Sequence, residues 1–214
     1  MSKTMKIRIT FTEPILGTSP SNPDIYRDYI ASKAPDTSTV EDEIDAVSSE
    51  EIAEKQMTVF PRNAYGQPFL YDYQIKGFFK GACKALKGVS GTDSSKVKAY
   101  KQAIDLRIFP YPREIPFECF DKVGECQRPL RASTPQGERV SLAMSEEIPA
   151  GAVIIFDIVM LEDSDEKLVR EWLDYGKYSG IGQWRNSGRG RYVWEELDES
   201  GARIGGNYDP AAIK

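Results

Sequence analysis

Histidine is absent from all 214 residues of the chain. With it go the usual general base, the Ser-His and Cys-His nucleophile pairs and the commonest metal ligand. The residues therefore suggest no catalytic group, metal ion or cofactor, and an enzyme is the less favoured expectation. Cysteine is scarce as well. Cys83, Cys119 and Cys126 form no CxxC pair and their number is odd. A zinc site or a disulfide framework is not expected, and the three are read as buried free thiols in a reducing compartment. No apolar run nears the roughly 20 residues of a membrane-spanning helix. Nor does a signal-like apolar stretch follow Met1. A cytoplasmic protein without membrane contact is the expectation. Internal repeats and low-complexity tails are also missing.

Positive charge is in the minority, with a formal net charge of -5. Its placement matters more than its total. From Asp36 to Glu54 there are eight acids and no base, whereas from Arg62 to Arg113 there are ten bases against three acids. Binding responds to the local field, so a basic face survives the negative sum.

The most telling segment is Gly180-Ile181-Gly182-Gln183-Trp184-Arg185-Asn186-Ser187-Gly188-Arg189-Gly190-Arg191. Glycine lets a backbone reach positive φ and come close to a partner. Three arginines and a tryptophan among four glycines, with no acid, suit phosphate oxygens and unstacked bases. A solvated connector is the alternative. Lys76, Lys80, Lys84 and Lys87 recur at three- and four-residue steps and share a helix face. They mark either a nucleic-acid contact or an ordinary polar face. Lys76-Gly77 is read as opening that helix, where free N–H groups favour phosphate.

Periodicity orders the rest. Lys6–Phe11 alternates as a half-buried strand. Helices are expected from Asp24 to about Lys33 and from Thr37 to about Gln56, the second with a thin apolar stripe that suits an exposed acidic insertion at about 24–57. A short strand at 58–60 and an extended segment at 69–73 precede a helix over 74–86. Gly88 to Ser95 reads as a flexible loop, and 95–104 as a second helix. An irregular β excursion follows at about 106–147, with strands at 106–109, 116–120 and 138–144. Ala152–Leu161 is the most apolar run, expected to be a central strand buried on both faces. Asp157 within it is read as an acid at a helix or sheet edge. A helix over 165–175 would face Leu168, Trp172, Leu173 and Tyr175 inward. Tyr192–Leu197 closes the sheet, and Gly201–Lys214 reads as loose. The order predicts an α+β, ferredoxin-like (RNA-recognition-type) sandwich, built as one domain over 1–214.

Three motifs in this order resemble the RAMP superfamily of CRISPR-associated proteins, above all the type III effector backbone subunits. Gly180-Ile181-Gly182, five residues, then Gly188-Arg189-Gly190 is similar to the superfamily's glycine-rich loop. Pro68 to Ala82, with Ile75-Lys76-Gly77, is similar to the segment in which a proline and an extended stretch precede Leu/Ile-Lys-Gly and a helix. Ile148-Pro149-Ala150-Gly151 is similar to the "ipaG" turn. The pattern covers roughly Met5 to Glu196. Lys80 or Lys84 would stand where the family places a basic residue after Lys-Gly. The acidic insertion departs from the pattern and leaves room for a standalone or mobile-element relative.

The resemblance implies a subunit that contacts the backbone of single-stranded RNA, with other subunits or copies of itself as partners in a CRISPR-type ribonucleoprotein acting in antiviral defence. Its implied contacts are Lys76, Gly77, Lys80, Lys84, Gly180, Gly182, Trp184, Arg185, Asn186, Gly188, Arg189, Gly190 and Arg191. Arg128 and Arg131 would lie on an extended hairpin that separates guide bases. Two other functions stay open. One is a metal-dependent endoribonuclease using Asp36, Asp42 or Asp45. The other is a mobile-element decoy acting by protein contact through the acidic insertion.

Overall fold

The computed structural model of the protein describes residues 2–20, 57–134 and 137–212. Both helices expected between Asp24 and Gln56, and the carboxylates Asp36, Asp42 and Asp45, lie outside the described residues. In chain order the strands are β1 (Lys3–Phe11), β2 (Ile15–Leu16), β3 (Ser19–Pro20), β4 (Thr58–Val59), β5 (Phe69–Tyr71), β6 (Ile108–Tyr111), β7 (Glu114–Glu118), β8 (Gly124–Thr134), β9 (Gly137–Ile148), β10 (Val153–Met160), β11 (Tyr192–Leu197) and β12 (Arg203–Gly206). The α-helices are α1 (Asp72–Leu86), α2 (Tyr100–Arg107) and α3 (Asp165–Tyr175). No described helix is long and apolar enough to cross a membrane.

Two compact units divide the chain. One comprises Met1–Ile15, Pro61–Lys122 and Ile148–Lys214; the other comprises Leu16–Phe60 and Val123–Glu147. The second unit gathers residues that the sequence assigned to the acidic insertion and the β excursion.

In the first unit β1 runs antiparallel between β10 and β11, and β10 pairs on its far side with β6 and β7. Taking β6 and β7 together as the second strand, the sheet order is fourth, first, third, second around a β-α-β-β-α-β chain. That is the ferredoxin-like α+β arrangement. β5 widens one edge by pairing with β7, and β12 widens the other by pairing with β11.

Alternation explains which face is covered. Ile154, Phe156, Ile158 and Met160 on β10 are buried, whereas Val153, Ile155, Asp157 and Val159 are half-buried. The expectation that this strand is buried on both faces is corrected accordingly, since one face is buried and the other only half-buried. The β10 register sets Asp157 opposite Lys6 on one side and Tyr111 on the other. Phe78 of α1 meets the Tyr192 ring edge-on at 5.5 Å, and Tyr192 in turn meets Phe11. Phe79 packs 5.6 Å from Trp172 of α3, and both are buried. These rings join the helices to the sheet. Phe79→Ala is expected to cost about 3–5 kcal/mol, because a ring-sized void opens where neither helix can collapse. A urea unfolding midpoint measures it.

α3 spans the predicted residues, but Val169 rather than Leu168 is buried beside Trp172 and Leu173. Lys3 and Arg170 both hydrogen-bond Glu166 and hold its carboxyl below the usual glutamate range. A carboxyl lowered by folding stabilises the protein above that range, and the gain is lost as pH falls through the lowered value. Glu166→Gln is therefore expected to flatten the acid limb of stability between about pH 6 and pH 3, read from urea midpoints.

Several other expectations change. Leu106 and Arg107 end α2 instead of opening a strand, and α2 starts at Tyr100. The loop after α1 is pinned, since Glu171 accepts the backbone N–H groups of Asp93 and Ser94 and the Ser94 hydroxyl. Cys83 is buried, and burial pushes its thiol pKa up, but Cys119 is exposed and Cys126 half-buried. The segment after Gly201 is not uniformly loose, because β12 pairs with β11 and Asn207 and Tyr208 both donate to the Trp194 carbonyl.

In the second unit β8 and β9 form a regular antiparallel ribbon, from Gly124↔Glu147 to Thr134↔Gly137. Thr58 on β4 bridges to Ser145, with their hydroxyls 2.8 Å apart. Periodicity alone shows no strand over β8, because Glu125, Gln127, Arg128 and Arg131 break any apolar alternation, and the ribbon agrees with the extended hairpin that the family resemblance implies for Arg128 and Arg131.

Candidate nucleic-acid interface

α1 starts four residues earlier than the Lys76-Gly77 reading assumed. Tyr71 is its N-cap, and the Gln74 side chain accepts the Tyr71 N–H at 2.8 Å. Lys76 thus sits in the second turn, where its own N–H is committed to the helical ladder. A free amide at that point does not exist, and Asp72 puts a carboxylate in the first turn.

The helix lysines divide by what they touch. Lys76 lies 4.4 Å from the Phe109 ring centroid and donates to the Asp105 carbonyl. Burial lowers its pKa, with the Asp105 carboxylate opposing. Lys80 is ion-paired with Asp105 at 3.0 Å, and Lys87 donates to the Lys98 carbonyl. Lys84 is exposed and has no hydrogen bond or ion pair among the described residues.

The glycine loop is closed at its neck. Ile181, which is buried, donates to the Gly190 carbonyl at 3.0 Å, and Gly190 donates to the Pro14 carbonyl at 2.9 Å. A Cβ on Gly180 would overlap the Arg189 and Gly190 backbone, and one on Gly190 would overlap the Ile181 carbonyl. The reading of these two glycines as points of ligand approach is therefore revised, since what they let come close is the loop's own backbone. Gly182 and Gly188 take positive φ angles of 90° and 87°. Between them Trp184 takes a left-handed φ of 58°, unusual for a bulky side chain. Trp184, Arg185 and Asn186 are exposed at the tip, with Arg185 opening a short 3₁₀ turn closed by Gly188 N–H to the Arg185 carbonyl.

The tip reaches α1. Arg185 Nη1 stands 3.6 Å from the place a Cβ on Gly81 would occupy. Gly77, one turn earlier, has nothing within 4 Å of its Cβ position. Gly77, Gly81 and Lys84 follow at i, i+4 and i+7, so they line one face of the helix. The result is a bare helical track with the Arg185 guanidinium alongside Gly81 and the Lys84 ammonium further along. Of the other loop arginines, Arg189 is half-buried. Arg191 folds back with its guanidinium carbon 3.2 Å from the Gly188 Cβ position. Arg128 and Arg131 lie on β8, opposite Ala143 and Val140, and belong to the second unit.

Among the described residues, no group of three or more Cys, Asp or Glu side chains could hold a metal ion. Residues that motif reading missed line a cleft beside the loop's exit, namely Thr12, Glu13, Lys177, Asn207 and Asp209, together with Arg191. They come from segments far apart in sequence. Lys177, three residues before Gly180, was the one near enough to the loop to be noticed.

The sequence matches no protein family and no curated protein. Among solved structures, it is similar to a chain in a cryo-EM structure of a type III-B Cmr-beta bound to cognate target RNA, with a TM-score of 0.48 and 10% identity. The match covers 92% of this chain and 59% of that one, so this chain spans less than two thirds of that relative's length.

Proposed function

We propose that this protein binds the backbone of single-stranded RNA where the Gly180–Arg191 loop meets α1, as a RAMP-like subunit of a cytoplasmic CRISPR-type ribonucleoprotein with further subunits or copies of itself. The observation that carries the reading is Arg185 seated beside Gly81. It joins two segments a hundred residues apart into one cationic track. Glycines in a helix interior are costly, about 1 kcal/mol each relative to alanine. Gly77 and Gly81 make sense where another backbone must lie against the helix. Arg185 and Lys84 would hold phosphates, and Trp184 would stack on an unstacked base. Lys76 and Lys80 support the track from the side, since their charges are already engaged by α2 and Phe109. On this reading Gly180 and Gly190 shape the loop, while Trp184, Arg185 and Asn186 touch RNA.

Gly77→Ala tests it, because stability and binding should move in opposite directions. With no neighbour for the new methyl group, the variant should gain about 0.5–1 kcal/mol of stability. RNA affinity should fall, measured by fluorescence anisotropy on a labelled oligonucleotide. A more stable variant with unaltered affinity removes the track from the interface.

A further inference from the structure

The loop's last arginine points to a second site. The cleft at the loop exit is open to solvent and has a volume of about 530 Å³, within the roughly 300–1,000 Å³ of small-ligand sites. Two cations, Lys177 and Arg191, and two carboxylates, Glu13 and Asp209, line it. Lys177 and Arg191 form no ion pair with Glu13 or Asp209 among the described residues. Opposite charges that share a cleft without closing on each other leave room for a molecule carrying both an anion and hydrogen-bond donors. Arg191 Nε is out of water and has no hydrogen-bond partner. That N–H is sealed from the cleft, so the two Nη groups, which carry no hydrogen bond or ion pair among the described residues, are what Arg191 offers to an anionic acceptor. The Arg191 carbonyl accepts the N–H groups of Thr12 and Glu13, which fixes the end of β1 against the loop.

We propose that this cleft takes one ribonucleotide, with its phosphate on Arg191 and Lys177 and its ribose 2′-hydroxyl donating to Glu13. The inference rests on the RNA-binding reading above and extends it, because a strand lying against the loop tip would reach the cleft through Arg191. A carboxylate accepts a hydroxyl proton and repels a phosphate, so Glu13 suits the sugar and not the backbone. The site then distinguishes RNA from DNA, which phosphate contacts alone do not do. A peptide segment also carries anions and donors, but the shared arginine ties the cleft to the loop and favours the nucleotide.

The test compares an oligouridine with the deoxy strand of the same length, by anisotropy on the full chain. The wild type is expected to prefer RNA by roughly 10- to 100-fold, as befits a hydrogen bond to a charged group. Glu13→Gln should bring that ratio towards one, chiefly through lost RNA affinity. Equal binding of RNA and DNA by the wild type overturns the inference while leaving the proposed track standing. So does an unchanged ratio in Glu13→Gln. If Lys84→Ala with Arg185→Ala leaves RNA affinity intact, the track reading fails instead. The cleft is then judged separately by calorimetry with adenosine 5′-monophosphate and its 2′-deoxy analogue. Preference for the ribonucleotide, lost in Glu13→Gln, supports it. No preference, or binding of an acidic peptide in place of either nucleotide, overturns it.

Discussion

Replacing Lys84 and Arg185 together by alanine is expected to weaken single-stranded RNA binding about 100-fold at low salt, near tenfold for each phosphate contact removed. Neither residue is needed for folding. Lys84 is exposed and forms no hydrogen bond or ion pair among the described residues, and Arg185 is exposed at a loop tip. Unfolding free energy should stay within the usual range of surface substitutions, about 0.5 kcal/mol. The diagnostic quantity is the salt dependence. Each single-strand phosphate contact contributes about 0.7 to the slope of log affinity against log salt, so the double variant should lose about 1.4. A fall in affinity with the slope unchanged would mean that the two cations act by shape and not by phosphate neutralisation. Lys76→Ala provides a contrast. Its ammonium already lies over Phe109 and donates to Asp105, so its loss should alter packing more than the slope.

Gly190→Ala is expected to have the largest effect on stability in this region. Its φ of 69° is strained for alanine, by about 1–2 kcal/mol. The new methyl group would also overlap the Ile181 carbonyl, so the neck must open. Opening breaks the Ile181–Gly190 and Gly190–Pro14 hydrogen bonds, each worth about 1 kcal/mol. A loss of about 3–4 kcal/mol follows, or roughly 6–15 °C in thermal midpoint for a chain of this size. RNA binding should fall as well, because Trp184 and Arg185 are placed by that neck. Calorimetry and anisotropy on the same preparation check both parts. A variant with unaltered midpoint would show that the loop does not depend on its closure.

The fold was legible where burial imposes a period. α3 and β11 were read to the residue, because Trp172 and Leu173, and the aromatic and β-branched run Tyr192–Trp194 that opens a strand buried along its whole length, must meet a core. β8 was legible only through the family resemblance, since a two-stranded ribbon rich in polar residues carries no apolar alternation to read. The site was legible in composition and opaque in partnership. The sequence displays four glycines and three arginines, but a glycine needed for ligand approach looks the same as one needed for the loop's own neck. Likewise four helix lysines look equivalent until Asp105, on α2, engages Lys76 and Lys80. Those distinctions depend on contacts between residues distant in the chain, and no local pattern encodes them. The cleft residues illustrate the same limit, because Glu13 and Lys177 become neighbours through the sheet order alone.

The distribution of tryptophan gives the molecule a built-in optical reporter. Trp172 and Trp194 are 1% and 2% exposed, whereas Trp184 is 38% exposed at the loop tip. Indole emission thus has two constant, shielded contributors and one that faces solvent. A collisional quencher such as iodide reaches the third almost alone. Shielding of that fraction on titration follows events at the tip without any attached dye, and it separates them from changes elsewhere in the chain.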